Sequence, residues 1–535
     1  MARTNTLGNY LSDVAAAIKR KLNMESSETI PANQFDTKID SIETGIPIPT
    51  KGFVFSDFDS NGFPRQADLY GNNFPDFYFM CNSDNLTKAI WGTQLVQTYP
   101  TSYVKKIVFH TEESYHYTAR RCFAYNKTLE TVEFPENVTD IYMWGGNFLG
   151  CSNLKSFPIS KINGYNSSGT GSIYEGVFNG CTNLESDVLV LPDRITSICV
   201  QAFQGCTKIN FTSLNKVRDI GYVYNSAMFQ SSGGYVFNGC TALSLSELPA
   251  GLTTIYGPNN FANCVNITIS FIPDGVTSLP NSTFNGCTSI TTMDINNVTG
   301  LGSSCFQGCT GLTSIEGAAC TSIGSSCFYG CSSLVSVSFP NLRTINSNAF
   351  QNVTGLTTLD LTNVTSIQQQ AFSGCTGLGS ITTAATTIAA SAFNNCTSII
   401  NAKLTAITSM TTTYVFQNCT GLKNVLLPAI VTFGTTNTSS IFSGCTSLKR
   451  VWIGSDVTTI NRYAFYNCQS VETIYIDLPR ATMEAMTNYS NYKFSNSQLS
   501  ADVFICNDDS NFISQTDFEA LMEADEPVAS QGNGE

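Results

Sequence analysis

Charge is what this chain has least of. Only 13% of its 535 residues are Asp, Glu, Lys or Arg, about half the usual share, so Ser, Thr, Asn and Gly must make up most of the polar surface. The 27 Lys and Arg are outnumbered by 40 Asp and Glu, for a formal net charge of −13. Without clustered cations there is nothing to release counterions from a phosphate backbone, and nucleic acid is not an expected partner. No stretch reaches the roughly 18 apolar residues of a membrane span, and the first 25 residues lack the apolar core of an export signal. The chain therefore reads as soluble, without membrane insertion and without an export signal of its own.

Histidine is reduced to two residues, His110 and His116. Six apart, they do not have a metal spacing such as H-x-x-x-H, and any Ser or Cys nucleophile would have to recruit one of them. No G-x-x-x-x-G-K-[ST] phosphate loop is present. Between Phe284 and Leu378 only Asp294, Glu316, Arg343 and Asp360 are charged, which leaves no carboxylate cluster there for glycoside hydrolysis. The segment DFDSNGFPRQAD places Asp57, Asp59, Asn61 and Asp68 at positions 1, 3, 5 and 12 of a calcium loop, with Gly62 at 6. Its flank KGFVFS reads as a strand, however, and Pro64 follows closely, so the segment reads as a turn between two strands. The expectation is no catalytic residue, no metal and no cofactor.

What the chain has instead is repetition. Phe123, Phe148, Phe178, Phe203, Phe237, Phe261, Phe284, Phe306, Phe328, Phe350, Phe372, Phe393, Phe416, Phe442 and Phe465 are each followed three residues later by a small residue and three further on by an aliphatic one. The small residue is Cys in all but two cases, Asn126 and Val353. The unit FYGCSSLVSVSFPNLRTINSNA, Phe328 to Ala349, contains Leu334, Val337 and Phe339 at the L-x-x-L-x-L spacing of a leucine-rich-repeat strand. One such unit cannot bury its apolar edge, so neighbours must stack at about 4.8 Å per turn into a shared core. The expected fold is a β-rich leucine-rich-repeat solenoid of about 15 turns, each of 21 to 34 residues. The repeated cysteines are then small buried hydrophobes in a packing ladder, reduced and free of metal.

The F-x-G-C-x-x-L unit resembles the BspA-like leucine-rich-repeat family over residues 122–476. That resemblance implies the solenoid and a surface for recognition, with no enzymatic activity. Residues 1–45 read as two short amphipathic helices, LSDVAAAIKRKL and PANQFDTKIDSI, joined by MESSET. Residues 46–121 read as a β-rich capping module with strands at KGFVFS, ADLYG, DFYFM and VKKIVFH. Residues 477–525 read as a second cap, helical at DLPRATMEAMTNY and QTDFEALMEA around a strand at ADVFIC, and 526–535 as a disordered tail.

The segments LSDVAAAIKRK, IPANQFDTKIDSI and KGFVFSDFDSNGFPRQADLYG are also similar to the N-terminal parts of tail-associated bacteriophage and prophage proteins. This implies a virion tail or fibre component made in the host cytoplasm. Residues 1–45 would bind other tail proteins, several copies would assemble in the particle, and the solenoid would contact a host cell-surface protein or glycan. The other readings are a purely architectural virion subunit and a bacterial or protist surface adhesin.

Two regions stand out as candidate recognition surfaces. The spacings from Phe148 to Phe178 and from Phe203 to Phe237 are long, 30 and 34 residues, and bring Tyr165, Tyr174, Tyr222, Tyr224 and Tyr235 among Ser, Gly and Asn. That mixture suits a binding loop, although tyrosines packed back on the rod would give the same sequence. The second region is the outward row of the strands, which is small or polar at Asp294, Glu316, Ser338, Asp360 and Thr382 and changes to Lys403, Leu426, Trp452 and Tyr475. Arg450 lies two residues before Trp452 on the same face. A solvent-facing Arg450, Trp452 and Tyr475 would form a binding patch, unless the segment after Ile476 folds over them.

Overall fold

The computed structural model describes residues 52–58, 64–70, 73–74, 77–81, 87–91, 94–99, 104–110, 114–118, 123–163, 171–223, 233–434 except 296, 440–486 except 462, and 503–526. The helices expected in 1–45 and the tail from 527 onward lie outside these, as do Tyr165 and Tyr224. The chain forms two compact units, Met1–Ile267 and Thr268–Glu535, both built from the same turn. No described helix is long and apolar enough to cross a membrane.

Around Phe306 the residues on either side, Ser304 (φ 56°) and Gly308 (φ 71°), take the left-handed conformation. That requirement explains the glycine or asparagine two places after every repeat phenylalanine but Phe123, where Tyr125 takes φ 63°, since few other residues tolerate positive φ. The corner so formed hydrogen-bonds to the next turn, Phe306 N to Cys327 O and Gly308 N to Tyr329 O, both 2.9 Å. Each ring therefore stacks on its neighbour nearly parallel. Centroids are 5.3 to 5.7 Å apart from Phe123 to Phe261 and 5.0 to 5.8 Å apart from Phe284 to Phe465.

Two rows of short parallel strands run beside this ladder. In the second unit one row passes through Ser278–Leu279, Gly300–Leu301, Ser322–Ile323, Thr344–Ile345, Ser366–Ile367 and Thr387–Ile388. The other passes through Thr292–Asp294, Ser314–Glu316 and Ser336–Ser338, and later through Ile381–Thr383, Asn401–Leu404, Asn424–Leu427, Arg450–Ile453, Thr473–Ile476 and Phe504–Cys506. Side chains alternate, so Ile315, Val425, Val451 and Ile474 point into the core and their neighbours point out.

The first unit opens with an antiparallel hairpin, Gly52–Phe58 with Pro64–Tyr70. Its second strand runs parallel to Lys106–His110 and so starts the sheet that continues through Thr131–Glu133, Ser156–Phe157 and Glu185–Ser186. The acidic segment after Asp57 is thus the connection of a hairpin. Its Asp68 carboxylate is bonded to His110 (2.9 Å) and Gln66 (3.0 Å).

At the other end of the chain, helix α1 (Arg480–Glu484) precedes the strand Phe504–Cys506, and helix α2 (Gln515–Ala524) follows it. The strand and α2 fall where the sequence places them. Helix α1 is shorter than the apolar pattern of DLPRATMEAMTNY suggests. Ser514 caps α2, accepting a hydrogen bond from Asp517 N.

Candidate recognition surfaces

In the first unit a four-stranded parallel sheet joins Gly171–Ile173, Ile195–Cys199, Asp219–Tyr222 and Thr254–Ile255. Ile173, Ile198, Ile220 and Ile255 form its inward ladder. The pairing slips by one residue between Ile198 and Cys199, so Cys199 faces Tyr222. A bulge of this kind re-aims the side chain beyond it. Tyr222 is 41% exposed, and its ring meets that of Tyr256, 38% exposed, edge to face at 5.6 Å.

The backbone beneath the two rings is fixed. Gly221 has φ +84°, and a Cβ there would lie 2.2 Å from the Tyr256 carbonyl oxygen, so no other residue fits. Tyr256 N donates to Ile220 O at 2.7 Å. The fully buried Asn260 side chain donates to the carbonyls of Tyr256 and Gly257, both at 2.9 Å. Rigid aromatic side chains lose little conformational freedom on binding, which is the property a recognition surface needs.

The other tyrosines of the two long spacings are placed differently. Tyr174 is buried and packs on Trp144 at 5.9 Å, so as a contact residue it is corrected to a packing one. Tyr235 is half-buried at φ 58°, in the left-handed corner position two residues before Phe237, and its N–H donates to Pro258 O. It belongs to the repeat and not to an insertion. The sequence reading missed Tyr256, which lies in a turn of ordinary length; the Tyr-Gly pair at Tyr256 and Gly257 and the glycines at 221, 233 and 234 were the available signal.

The second region is corrected more strongly. Leu426, Trp452 and Tyr475 are register partners on adjacent strands, yet Trp452 is only 4% exposed because α2 lies over it. Phe518 and Met522 of α2 pack on Leu426 and Trp452, with Phe512, Ile513 and Tyr475 at the edge. The indole N–H donates to Ile513 O at 3.2 Å. Arg450 binds the Asp525 carboxylate at 2.8 Å, and Lys403 pairs with Glu519. The buried Asn424 bridges to Asp525 (3.0 Å) and to Asn401 (2.8 Å), and Asn401 donates to Met522 O and to Glu526. These partners hold the carboxyls of Glu519 and Asp525 below the usual range; for Glu519 the main cause is the Lys403 bond, for Asp525 the Asn424 bond followed by Arg450.

The described cysteines of the repeat are engaged in packing. In turn after turn the cysteine Sγ donates to the carbonyl oxygen of the preceding turn's phenylalanine, as Cys309 does to Phe284, Cys331 to Phe306, Cys375 to Phe350 and Cys396 to Phe372, at 2.9 to 3.0 Å. Burial pushes these thiols up, to about 12 for Cys309 and Cys375, and a thiol that stays protonated is a poor nucleophile or metal ligand. Cys506, Asp508 and Asp509 place three ligand atoms within 4.8 Å of one another. There Asp509 already binds the Arg480 guanidinium and Cys506 N, and Asp508 accepts from Arg480 N, so an arginine supplies the positive charge.

Residues 99–209, 171–232, 226–319, 317–423 and 386–521 match the BspA type leucine rich repeat region. No curated protein matches the chain. Among solved structures it is similar to a leucine-rich repeat protein from Bacteroides ovatus, at 19% identity over 77% of this chain and 99% of that one, with a TM-score of 0.48. It is also similar to a leucine rich cell surface protein from Faecalibacterium prausnitzii, at 20% identity over 84% and 98%, TM-score 0.33. A third is the pneumococcal vaccine antigen PcpA, at 13% identity over 84% and 91%, TM-score 0.33.

Proposed function

We propose, from the premise that the chain belongs to the BspA-type leucine-rich repeat family, that it is a recognition protein that binds a cell-surface glycan or protein through its first unit, in the manner of an adhesin. The observation that carries this reading is the Tyr222 and Tyr256 pair: two exposed tyrosines that meet edge to face, over a backbone packed too closely at Gly221 to admit a Cβ. Rings that served only packing would be buried, as Tyr174 is.

The setting in which this surface is displayed is a separate matter. A phage tail component attached through residues 1–45 is a proposal that rests on the resemblance of LSDVAAAIKRK, IPANQFDTKIDSI and KGFVFSDFDSNGFPRQADLYG, and the exposed tyrosines serve a bacterial surface adhesin equally well. The test is binding of the purified, labelled chain to candidate host cells and to immobilised host glycans. Replacing Tyr222 and Tyr256 together by Ala is expected to lower binding at least tenfold, about 1.4 kcal/mol, with the melting temperature unchanged. Undiminished binding by a folded double variant would move the site elsewhere.

A further inference from the structure

The placement of α2 is unusual for an end cap. A solenoid must shield the open end of its core, and in the last turn the strand Phe504–Cys506 and α1 do this: Phe504, Cys506 and Met483 are buried, with Cys506 Sγ 3.6 Å from Met483 Sδ. Helix α2 instead lies across the lateral face, over strands from Asn401–Leu404 to Thr473–Ile476, where the core is already closed beneath by Ala402, Val425, Val451 and Ile474. The strip it covers has the composition of a protein contact. Leu426, Trp452 and Tyr475 form an apolar centre, and Lys403, Lys423 and Arg450 a cationic rim that faces Glu519 and Asp525. Earlier on the same face the outward residues are small or acidic, Asp294, Glu316 and Ser338, and carry no such centre.

We propose that the strip Leu426, Trp452, Tyr475 is a docking site for an acidic amphipathic helix of a partner protein, held closed in this structure by the chain's own α2. The ligand chemistry is read from the present occupant. Two large apolar side chains one turn apart, Phe518 and Met522, fill the centre, and carboxylates on the flanks meet the cationic rim. A partner helix with the same pattern competes for the same contacts, and release of α2 exposes the strip. This inference is independent of the tyrosine site in the first unit.

The first test uses the unmodified full chain. Native-state hydrogen exchange should show α2 amides exchanging at least about a hundredfold faster than those of Val451 and Ile474, the signature of local opening. Exchange of α2 only together with those strands would make it part of the fold and overturn the proposal. The second test titrates a fluorescent synthetic peptide of residues 508–526 into the full chain carrying Phe518→Ser and Met522→Ser, whose own helix cannot seal the strip. Binding is expected, at least about tenfold tighter than to the unmodified chain, and lost on adding Arg450→Glu. Absence of binding, or equal binding of a scrambled peptide, would overturn it, with circular dichroism confirming that the solenoid stays folded. Loss of the solenoid in the double variant would likewise overturn it, because a helix needed for folding is not displaceable.

Discussion

The cysteine of each turn does two jobs, and the turns that lack it separate them. It fills a closed space beside the ring ladder, and its thiol adds a second donor to a carbonyl that already accepts a backbone N–H, as Phe306 O does from Cys309 N at 3.0 Å. Val353 keeps only the first job: Phe328 O still accepts from Cys331 N. Asn126 is likewise buried and fills the space, and turns its side-chain oxygen to Thr128 and Leu129 N instead. Filling space is therefore the larger contribution. Cys331→Val is expected to cost about 1 kcal/mol or less, whereas Cys331→Asp, a buried charge without a partner, should unfold its neighbourhood. Denaturant melts of the two variants check this, and equal losses would contradict it. The 18 described cysteines are buried thiols, so they should resist thiol reagents in the folded chain and all react after denaturation without reductant. Masked thiols that still need reductant would mean disulfides.

For the elements, the question is what holds α2 down. Its apolar seal is small, Phe518 and Met522, and its polar anchors include the carboxylates of Glu519 and Asp525, both held below their ordinary values of 4.5 and 3.8. A group whose folded value is depressed contributes stability that is complete above its ordinary value and is lost as pH falls through the folded one. Docking of α2 should therefore weaken in acid, starting below about pH 4.5, with the strands still intact. Emission from Trp452, isolated by difference against Trp452→Phe, should shift to the red and become open to iodide before the β signal is lost. Coincident transitions at all ionic strengths would show that these carboxylates do not govern the helix. The same packing alters the expectation for Trp452→Ala: it should loosen α2, and need not touch cell binding at all.

At the scale of the molecule, each turn contacts only its neighbours, so stability is a sum of local interfaces. Phe306→Ala removes a fully buried ring stacked on Phe284 and Phe328 at 5.5 and 5.7 Å and should cost about 3–5 kcal/mol. The damage is expected to stay near that turn, seen as faster hydrogen exchange around Phe284 to Phe328 with the strands beyond Phe416 protected. Uniform loss of protection across the second unit would show longer-range cooperativity than nearest-neighbour packing allows.

The sequence by itself determined the solenoid. A phenylalanine, a glycine or asparagine, a cysteine and an aliphatic residue at constant spacing can bury their apolar edges only by stacking, and the left-handed corner admits few residues after each Phe, so both the turn and its register are written in the repeat. It also marked the change of the outward row at Lys403, Leu426, Trp452 and Tyr475. What that change meant was decided by tertiary structure. An exposed patch and a covered one have the same local sequence, and the difference lies in a helix 40 residues or more downstream whose Phe518 and Met522 match the strip. The tyrosines show the same limit in the other direction. Tyr174 and Tyr222 lie in similar surroundings along the chain, but one faces Trp144 in a closed turn and the other is turned outward by a one-residue slip in strand pairing. Periodicity fixes which turn a residue belongs to; exposure depends on what packs against that turn, and only the folded chain brings those parts together.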